Sequence, residues 1–260
     1  MIALSSNGKF YTSHPVDLQS AFLQDVFLDN PLFVAIMCGR YSLFTPLQEV
    51  EMQLAAKAVE WENFEPRYNA APTQPMPVIT NEFPDIIQYY RWGLVPRWAS
   101  DAAMGSKMIN TRTESIQEKP AFFNIFKYKR CLVLADGYYE WKAGTDSTKK
   151  TNKQPYRFHL PHNELLLLAG LWDTWQNGLQ TFSIITCPAN ADVAPYHHRM
   201  PVLLTRKDAA TWLSSNNTTE LLQLLKPAPS GVLQCYPIHT LLNRASYDHP
   251  DIITPMQMLL

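Results

Sequence analysis

The sequence predicts a β-rich α+β fold: a single domain with a barrel-like mixed sheet and a few flanking helices. Short apolar runs bounded by turn residues recur along the chain, whereas helical periodicity is confined to a few segments. Proline outnumbers glycine, 20 to 9, and aromatic residues make up 12% of the chain, which favours short strands and shaped loops over a helical bundle. Apolar residues make up 46% of the 260 residues, enough to bury a sizeable core.

Residues 1–36 differ from the rest of the chain. They have little clear period, although residues 21–28 are compatible with a short helix that Pro31 ends. We interpret residues 1–36 as an extension, either an upstream stretch included by a wrong start assignment or a removable propeptide. We therefore predict one domain over residues 37–260. The start lacks the pattern of a secretory signal, and no apolar run reaches about eighteen residues, so no membrane span is expected.

The first helix is predicted to begin with a capping box. Thr45 would be the N-cap, Pro46 would occupy the first helical position, and Gln48 would reach back to the cap. The apolar face of this helix would comprise Leu47, Val50, Leu54 and Ala58. Residues 67–73 are expected to form a loop.

Strands are predicted next, at residues 77–80 and Ile86–Trp92, and a shaped surface loop follows at residues 92–98. Polar side chains alternate at positions 110, 112 and 114, so in an extended chain they would share one face. Residues 131–135 read as a buried strand that turns at Asp136-Gly137 into a second strand, residues 138–141, as in a hairpin.

The remainder alternates between strands and two helices. Residues 143–154 form a hydrophilic loop by composition. The predicted strands cover residues 156–160, 164–171, 181–187, 202–205 and 232–236, and the predicted helices cover residues 208–213 and 219–225.

Positive charge is concentrated in residues 91–130. This segment holds eight Lys or Arg against three Asp or Glu, whereas residues 1–90 hold four against ten. The excess is compatible with a phosphate-binding face and equally with an ordinary solvated surface.

The four cysteines form no CxxC pair, so neither a structural zinc site nor a disulfide framework is expected. A reducing cytoplasm fits this pattern, with association to the nucleoid if the source is bacterial. The four are Cys38, Cys131, Cys187 and Cys235.

Cys38 directly follows Met37, and this position gives it a special chemistry. The ordinary interpretation of a lone cysteine is a small buried apolar residue. If the chain starts at Met37 or is cut after it, however, Cys38 carries a free α-amine beside its thiol. With pKa values of roughly 7.7–8.0 and about 8.5, both groups are partly nucleophilic at neutral pH. The amine could form a Schiff base with an aldehyde, and the thiolate could then close a five-membered thiazolidine ring.

Such a reaction needs a proton donor and acceptor and a polar group for the aldehyde oxygen. Glu140 lies between two aromatic residues, which can raise the pKa of a carboxyl. His197 and Asn110 are further candidates. Each also has an ordinary interpretation: Glu140 as a solvent-facing strand residue, His197 as a structural histidine, and Asn110 as a turn or cap residue.

Seven short motifs, in order along the chain, resemble those of the SOS-response-associated peptidase (SRAP) family. They are Met-Cys-Gly-Arg-Tyr (37–41), Arg-Tyr-Asn-Ala-Ala-Pro (67–72), Trp-Gly-Leu-Val-Pro-Arg-Trp (92–98), Ile-Asn-Thr-Arg-Thr-Glu (109–114), Ala-Asp-Gly-Tyr-Tyr-Glu-Trp (135–141), Ala-Gly-Leu-Trp (169–172) and His-His-Arg-Met-Pro (197–201).

This resemblance implies a protein that forms a covalent thiazolidine crosslink to abasic sites in single-stranded DNA. It implies that Cys38 forms the crosslink, Asn110 positions it, Glu140 acts as acid and base, and His197 stabilises or activates the sugar oxygen. It also implies autoproteolysis that frees the cysteine when residues precede it. Phosphates would be met by Arg40, Arg112 and Arg199, and the DNA path would be shaped by Asn69, Pro72 and Trp98, the last as a stacking or wedge residue.

We expect a monomer that needs no cofactor or metal and has no membrane partner. Two other functions stay open from the residues. Cys38, Glu140 and His197 also permit a cysteine peptidase acting on other proteins, and the chain could instead be a non-catalytic single-stranded DNA-binding module.

Overall fold

The secondary structure consists mainly of short strands with a few helices. The computed structural model describes residues 39–59, 64–142 and 153–256. In this part of the chain the strands are β1 (Tyr41–Leu43), β2 (Lys57–Ala58), β3 (Arg67–Ala70), β4 (Pro75–Thr80), β5 (Ile86–Trp92), β6 (Asn110–Arg112), β7 (Arg130–Ala135), β8 (Gly137–Lys142), β9 (Gln154–His159), β10 (Leu166–Thr174), β11 (Gln180–Pro188), β12 (Arg199–Pro201), β13 (Leu203–Leu204) and β14 (Gln234–Pro237). The helices are α1 (Leu47–Leu54), α2 (Thr113–Glu118), α3 (Pro120–Tyr128), α4 (Arg206–Ser214) and α5 (Thr218–Gln223).

Five strands of the larger sheet close into a barrel. Its strand order is β12-β11-β10-β7-β4-β5-β2, and β11 also pairs in parallel with β5, so β11, β10, β7, β4 and β5 form a ring. The smaller sheet has the order β14-β9-β8-β1-β3. The predicted β-rich α+β fold with a barrel-like mixed sheet is confirmed.

The barrel core follows from strands that are apolar at nearly every position. Val133 of β7 pairs with Val78 of β4 on one side and with Leu168 of β10 on the other. All three side chains are fully buried. Each buried aliphatic side chain of this size contributes about 1.5–3 kcal/mol through the hydrophobic effect. A strand buried on both faces reads as a continuous apolar run, which is why residues 131–135 are recognisable as a strand.

The start of the first helix differs from the prediction. The helix begins at Leu47, and no side chain caps it. The Thr45 hydroxyl donates a hydrogen bond to Asp136 at 2.5 Å, and the same carboxylate accepts from the Thr45 N–H at 2.8 Å. The predicted capping box is therefore wrong. The Thr45 hydroxyl donates to Asp136, which holds the segment after β1 in place, and so does not cap the helix. The helix also ends early, at Ala55 in the left-handed conformation, so Ala58 lies in β2.

Three further local predictions were wrong. Residues 67–70 form strand β3 rather than a loop, because they pair with β1. The extended face at positions 110, 112 and 114 stops after Arg112, where helix α2 begins. Strands β7 and β8 are not a hairpin: the chain passes from the larger to the smaller sheet at Asp136. The predicted helix at residues 21–28 and the hydrophilic loop up to residue 152 lie outside the described residues.

Gly93 holds the loop after β5 in a conformation that only glycine tolerates. Its φ is +121°, and a Cβ there would lie 2.5 Å from the carbonyl oxygen of Gly105. We expect Gly93→Ala to lower the free energy of unfolding by about 3 kcal/mol or more, since backbone strain and overlap add. Gly178→Ala is the matched control, because its φ is also positive, +78°, but open space surrounds it. Urea unfolding of both variants measures the difference, and equal losses would contradict the steric argument.

Candidate functional site

The chain that follows Cys38 runs along strand β8. Cys38 itself lies outside the described residues. Tyr41 pairs with Tyr138 in antiparallel register, and the Tyr139 N–H donates to the Arg40 carbonyl at 3.1 Å. Continuing this register places Gly39 opposite Glu140. Gly39, the residue after Cys38, is thus held beside Glu140, the predicted acid and base.

Glu140 and His197 lie on the same side of the smaller sheet. Glu140 is 1% exposed and pairs with Tyr156 of β9, and directly opposed residues point to the same face of a sheet. The Tyr156 ring packs 4.5 Å from the ring of Tyr196, the residue before His197. The ordinary interpretation of Glu140 as a solvent-facing residue therefore does not hold.

His197 has one ring nitrogen engaged and one without a partner. Its Nδ1 accepts a hydrogen bond from the Arg199 N–H at 3.1 Å. With this contact formed, Nδ1 accepts and the neutral ring carries its proton on Nε2, whereas the Arg199 carbonyl, 3.3 Å from the same nitrogen, would accept a hydrogen bond from a protonated Nδ1 in the other tautomer. The Nε2 atom is buried and has no hydrogen-bond partner among the described residues. Burial lowers the pKa of His197, a backbone hydrogen bond with Arg199 acts in the opposite direction, and the charges of His198, Lys153 and Arg199 lower the pKa further, so the net shift favours the neutral ring.

Arg199 is buried in an ion pair with Glu114. Its guanidinium donates to both carboxylate oxygens, at 2.6 and 2.9 Å, and to the carbonyl of Thr186. The hydrogen bond from Arg199 lowers the pKa of Glu114 to about 2. Because this pKa lies below its unfolded value, the stability it contributes is present above about pH 4.5 and is lost as the pH falls toward 2. Arg199 thus makes a structural contact where sequence predicts a phosphate ligand.

Asn110 is connected to the site by contacts between residues of the barrel and strand β1. It pairs with Ile184 in the parallel β6–β11 pairing and is half-buried. The preceding residue accepts a hydrogen bond from the Trp92 indole at 2.9 Å, and that ring packs 4.9 Å from the ring of Tyr41 in β1. A continuous set of contacts therefore links Asn110 to the strand that begins after Cys38.

Arg40 and Asn69 share a contact with the C-terminal segment. Both donate to the carbonyl of Leu242, at 3.2 Å each, and the Asn69 amide also donates to the carbonyls of Arg244 and Tyr247. The buried Nε of Arg40 has no partner, and no carboxylate of the described chain forms an ion pair with it. Burial lowers the pKa of Arg40. A half-buried cation of this kind is suited to an anionic ligand.

The three other predicted DNA contacts lie at or near the surface. Pro72 and Trp98 are half-buried, and Arg112 is exposed at the end of β6. Arg112 stands opposite Thr186 of β11, whose carbonyl holds Arg199. Arg112 is therefore placed beside the Glu114–Arg199 pair and keeps its own guanidinium at the surface.

The positive segment 91–130 does not present all its charges to solvent. Arg130 is 1% exposed. Arg97 and Lys129 both form ion pairs with the buried Asp173. One of the eight cations is therefore buried and two are paired with Asp173, although the Arg97 side chain stays 67% exposed.

Glu114 is the residue that sequence reasoning missed. It belongs to the 109–114 motif, which was the one available signal. Its partner Arg199 is 85 residues away, and the contact depends on helix α2 and strand β12 meeting at β11. In the part of the chain that the structure describes, no group of His, Cys, Asp or Glu could hold a metal ion, and no helix could cross a membrane.

Comparisons with known proteins point to one family. Residues 37–245 match the model described as SOS response associated peptidase (SRAP). The chain is 36% identical over 225 residues to "Abasic site processing protein YoqW" of Bacillus subtilis, covering 84% of this chain and 99% of the relative. It is 30% identical over 234 residues to "Abasic site processing protein HMCES" of Gallus gallus, covering 75% of this chain and 68% of the relative. A crystal structure of a protein from Bacteroides thetaiotaomicron superposes with a TM-score of 0.74 at 27% identity, over 84% of this chain and all of that one.

Proposed function

Since the chain belongs to the SOS response associated peptidase family, we propose that it processes abasic sites in single-stranded DNA by bonding to them covalently. The bond joins the abasic sugar to Cys38 as the first residue of the mature chain. The product shields the lesion as a DNA–protein crosslink.

The chemistry uses both functional groups of Cys38. The α-amine adds to C1 of the ring-opened sugar aldehyde, and loss of one water leaves an imine. The thiol then adds its sulfur to the imine carbon while its proton passes to the nitrogen, which closes the thiazolidine. No redox step is involved, and the closure is intramolecular, so it gains a high effective concentration.

The observation that carries this proposal is the buried Nε2 atom of His197, which has no hydrogen-bond partner among the described residues and lies on the same side of the smaller sheet as buried Glu140. A neutral imidazole that presents N–H can donate to the sugar oxygen without adding a positive charge that would repel a protonated amine. Glu140 would exchange protons with the amine and the departing water, and the register that sets Gly39 opposite it supports this role. Asn110 would orient the linkage.

Phosphates would be bound by cations that the fold leaves available. The buried Nε of Arg40 has no hydrogen-bond partner in the described part of the chain, and Arg112 is exposed beside the ion pair of Arg199. Pro72 and Trp98, both half-buried, would guide the strand, and Asn69 would act by holding the C-terminal segment against β3. Arg199 would reach a phosphate only as a neighbour of Arg112, because Glu114 already occupies its guanidinium.

Residues 1–36 would be absent from the active form. If they are translated, cleavage between Met37 and Cys38 would release residues 1–37: the Cys38 thiol would attack the Met37 carbonyl, the Cys38 nitrogen would leave as the free amine, and water would hydrolyse the resulting thioester. If translation begins at Met37, removal of that methionine gives the same amino terminus.

The test is adduct formation by protein beginning at Met37. We expect a denaturation-resistant band with a strand that holds one abasic site and none with the intact strand. Glu140→Gln should slow its formation by about 100-fold, the lower range for loss of a general acid or base. Glu164→Gln is the matched control, because Glu164 is exposed. Equal salt-sensitive binding of both strands without an adduct would instead support a DNA-binding module, and turnover of unrelated peptides would support a peptidase.

A further inference from the structure

We propose that Glu114 is a positioning residue of this site: by anchoring Arg199 it holds His197 as the tautomer that carries its proton on Nε2. The inference deepens the function proposed above and rests on it. Among the described residues the Glu114 side chain forms hydrogen bonds with Thr113 and Arg199, so its action on His197 would pass through two intermediate contacts.

The first contact fixes Arg199. Both oxygens of Glu114 accept from its two terminal nitrogens, and the Thr186 carbonyl accepts from one of them. A bidentate, charge-assisted arrangement of this kind sets orientation as well as energy. Arg199 is 7% exposed, and Glu114 is its only carboxylate partner among the described residues. Without that carboxylate, the guanidinium would be a buried charge lacking a counter-ion, which favours its movement toward water.

The second contact joins the backbone of Arg199 to the ring of His197. The Arg199 N–H lies 3.1 Å from Nδ1, and the Arg199 carbonyl oxygen lies 3.3 Å from the same nitrogen. The first contact requires a lone pair on Nδ1, whereas the second would require a proton there. Small movements of the Arg199 backbone can therefore exchange one tautomer for the other.

The position of Arg199 in strand β12 explains how Glu114 can affect the balance between the two His197 tautomers. Arg199 is the first residue of this three-residue strand, and it pairs with Pro188 at the end of β11. This is a non-hydrogen-bonded pair of the antiparallel ladder, and the next pair outward is closed by the Ala189 N–H, which donates to the His198 carbonyl at 3.0 Å. The ladder therefore does not use the N–H and carbonyl of Arg199, which meet the His197 ring instead, and the ion pair with Glu114 restrains Arg199 in addition to the ladder.

The tautomer determines whether Nε2 of His197, the atom that would meet the sugar oxygen, is a donor or an acceptor. With Nδ1 occupied by the Arg199 N–H, Nε2 is a donor, and it is buried without a partner among the described residues. With a proton on Nδ1, Nε2 would become an acceptor and could not stabilise the developing charge on the sugar oxygen. Loss of the Glu114 carboxylate would then leave the site folded but with a mixture of the two tautomers of His197.

Glu114→Gln tests the proposal, with Glu118→Gln as control. Both residues lie on helix α2, and Glu118 is exposed with no hydrogen bond or ion pair from its side chain to the described chain. Nitrogen-15 NMR of the imidazole reports which nitrogen is protonated, in the absence of DNA. We expect a single Nε2–H tautomer in the parent protein and in Glu118→Gln, and a mixture in Glu114→Gln. If the productive tautomer falls to about a tenth of the population, the crosslinking rate of Glu114→Gln should fall about tenfold.

The two arms separate the possible failures. An unchanged tautomer in Glu114→Gln would overturn the positioning role, even if the melting temperature falls, because a purely structural residue lowers stability alone. A changed tautomer with the crosslinking rate of Glu118→Gln would overturn it as well. If the parent protein forms no adduct at all, the proposed function fails, while the NMR arm still decides whether Glu114 controls His197.

Discussion

A chain in which the amine of Cys38 is blocked is expected to form no adduct with abasic DNA. In the uncut 260-residue protein, that nitrogen belongs to the peptide bond with Met37. An amide nitrogen has its lone pair delocalised into the carbonyl, so it cannot add to an aldehyde. Without the imine, the thiol has no electrophile to close on. The rate should fall by more than about 1000-fold, since the advantage of a tethered second nucleophile is lost as well.

The amine and the thiol can be tested separately. In one variant of the full chain, the recognition sequence of a specific protease replaces the residues directly before Cys38. Adduct should appear only after cleavage, and intact mass should confirm Cys38 as the new first residue. Cys38→Ala in the Met37-start protein keeps the amine but removes the thiol, so a reducible Schiff base should remain in place of the stable product.

Cys235→Ala controls for reaction at another thiol, because Cys235 is the exposed free cysteine of the described chain. It should form adduct at the parent rate. A stable adduct whose mass still includes residues 1–36 would refute the requirement for a free amine. An undiminished, equally stable adduct with Cys38→Ala would refute the thiazolidine.

The architecture could be predicted where burial alone decides it. Residues 131–135 were recognisable because every position of β7 is buried, and such strands read as continuous apolar runs. Arg67–Ala70 gave no such signal, because two of its four residues are only half-buried. The hairpin at Asp136 failed for another reason. Two strands joined by a turn usually pair, and nothing local reveals that this carboxylate instead clamps Phe44 and Thr45 while the chain changes sheets.

The sequence predicts which residues form the candidate site but not how they are arranged in space. The motif order singled out Glu140 and His197. Their common face arises from the ring contact of Tyr156 with Tyr196, which joins segments that are distant in sequence. The Glu114–Arg199 pair likewise depends on two elements meeting at β11. The role of Cys38 stays a prediction, because that residue lies outside the described part of the chain.

Arg130→Met is expected to cause a large loss of stability. The Arg130 side chain is 1% exposed. Its Nε donates to the Trp212 carbonyl at 2.8 Å, and its terminal nitrogens donate to the carbonyls of Phe126, Lys127 and Ser215 at 3.1, 2.6 and 2.8 Å. These carbonyls lie near the C-terminal ends of α3 and α4, where helices leave acceptors unsatisfied. One cation therefore caps two helices against β7.

Methionine has a similar length and would fill the space, so the change removes donors rather than volume. Four acceptors would lose their partner together, and each buried one costs about 1–3 kcal/mol, partly offset because the charge no longer has to be buried. We expect the free energy of unfolding to fall by about 3–5 kcal/mol in urea denaturation. Arg244→Met should change it by less than about 0.5 kcal/mol, since Arg244 is exposed.

The comparison of Arg130→Met with Arg244→Met also distinguishes two interpretations of the positively charged segment 91–130. If Arg130 were part of a phosphate-binding face, Arg130→Met would weaken DNA binding with a reduced salt dependence and leave unfolding unchanged. The hydrogen bonds predict the reverse: a destabilised protein whose folded fraction binds DNA with the parent salt dependence. Equal stability of Arg130→Met and Arg244→Met would contradict the capping role, and charge concentration along the sequence would then be the better guide to this residue.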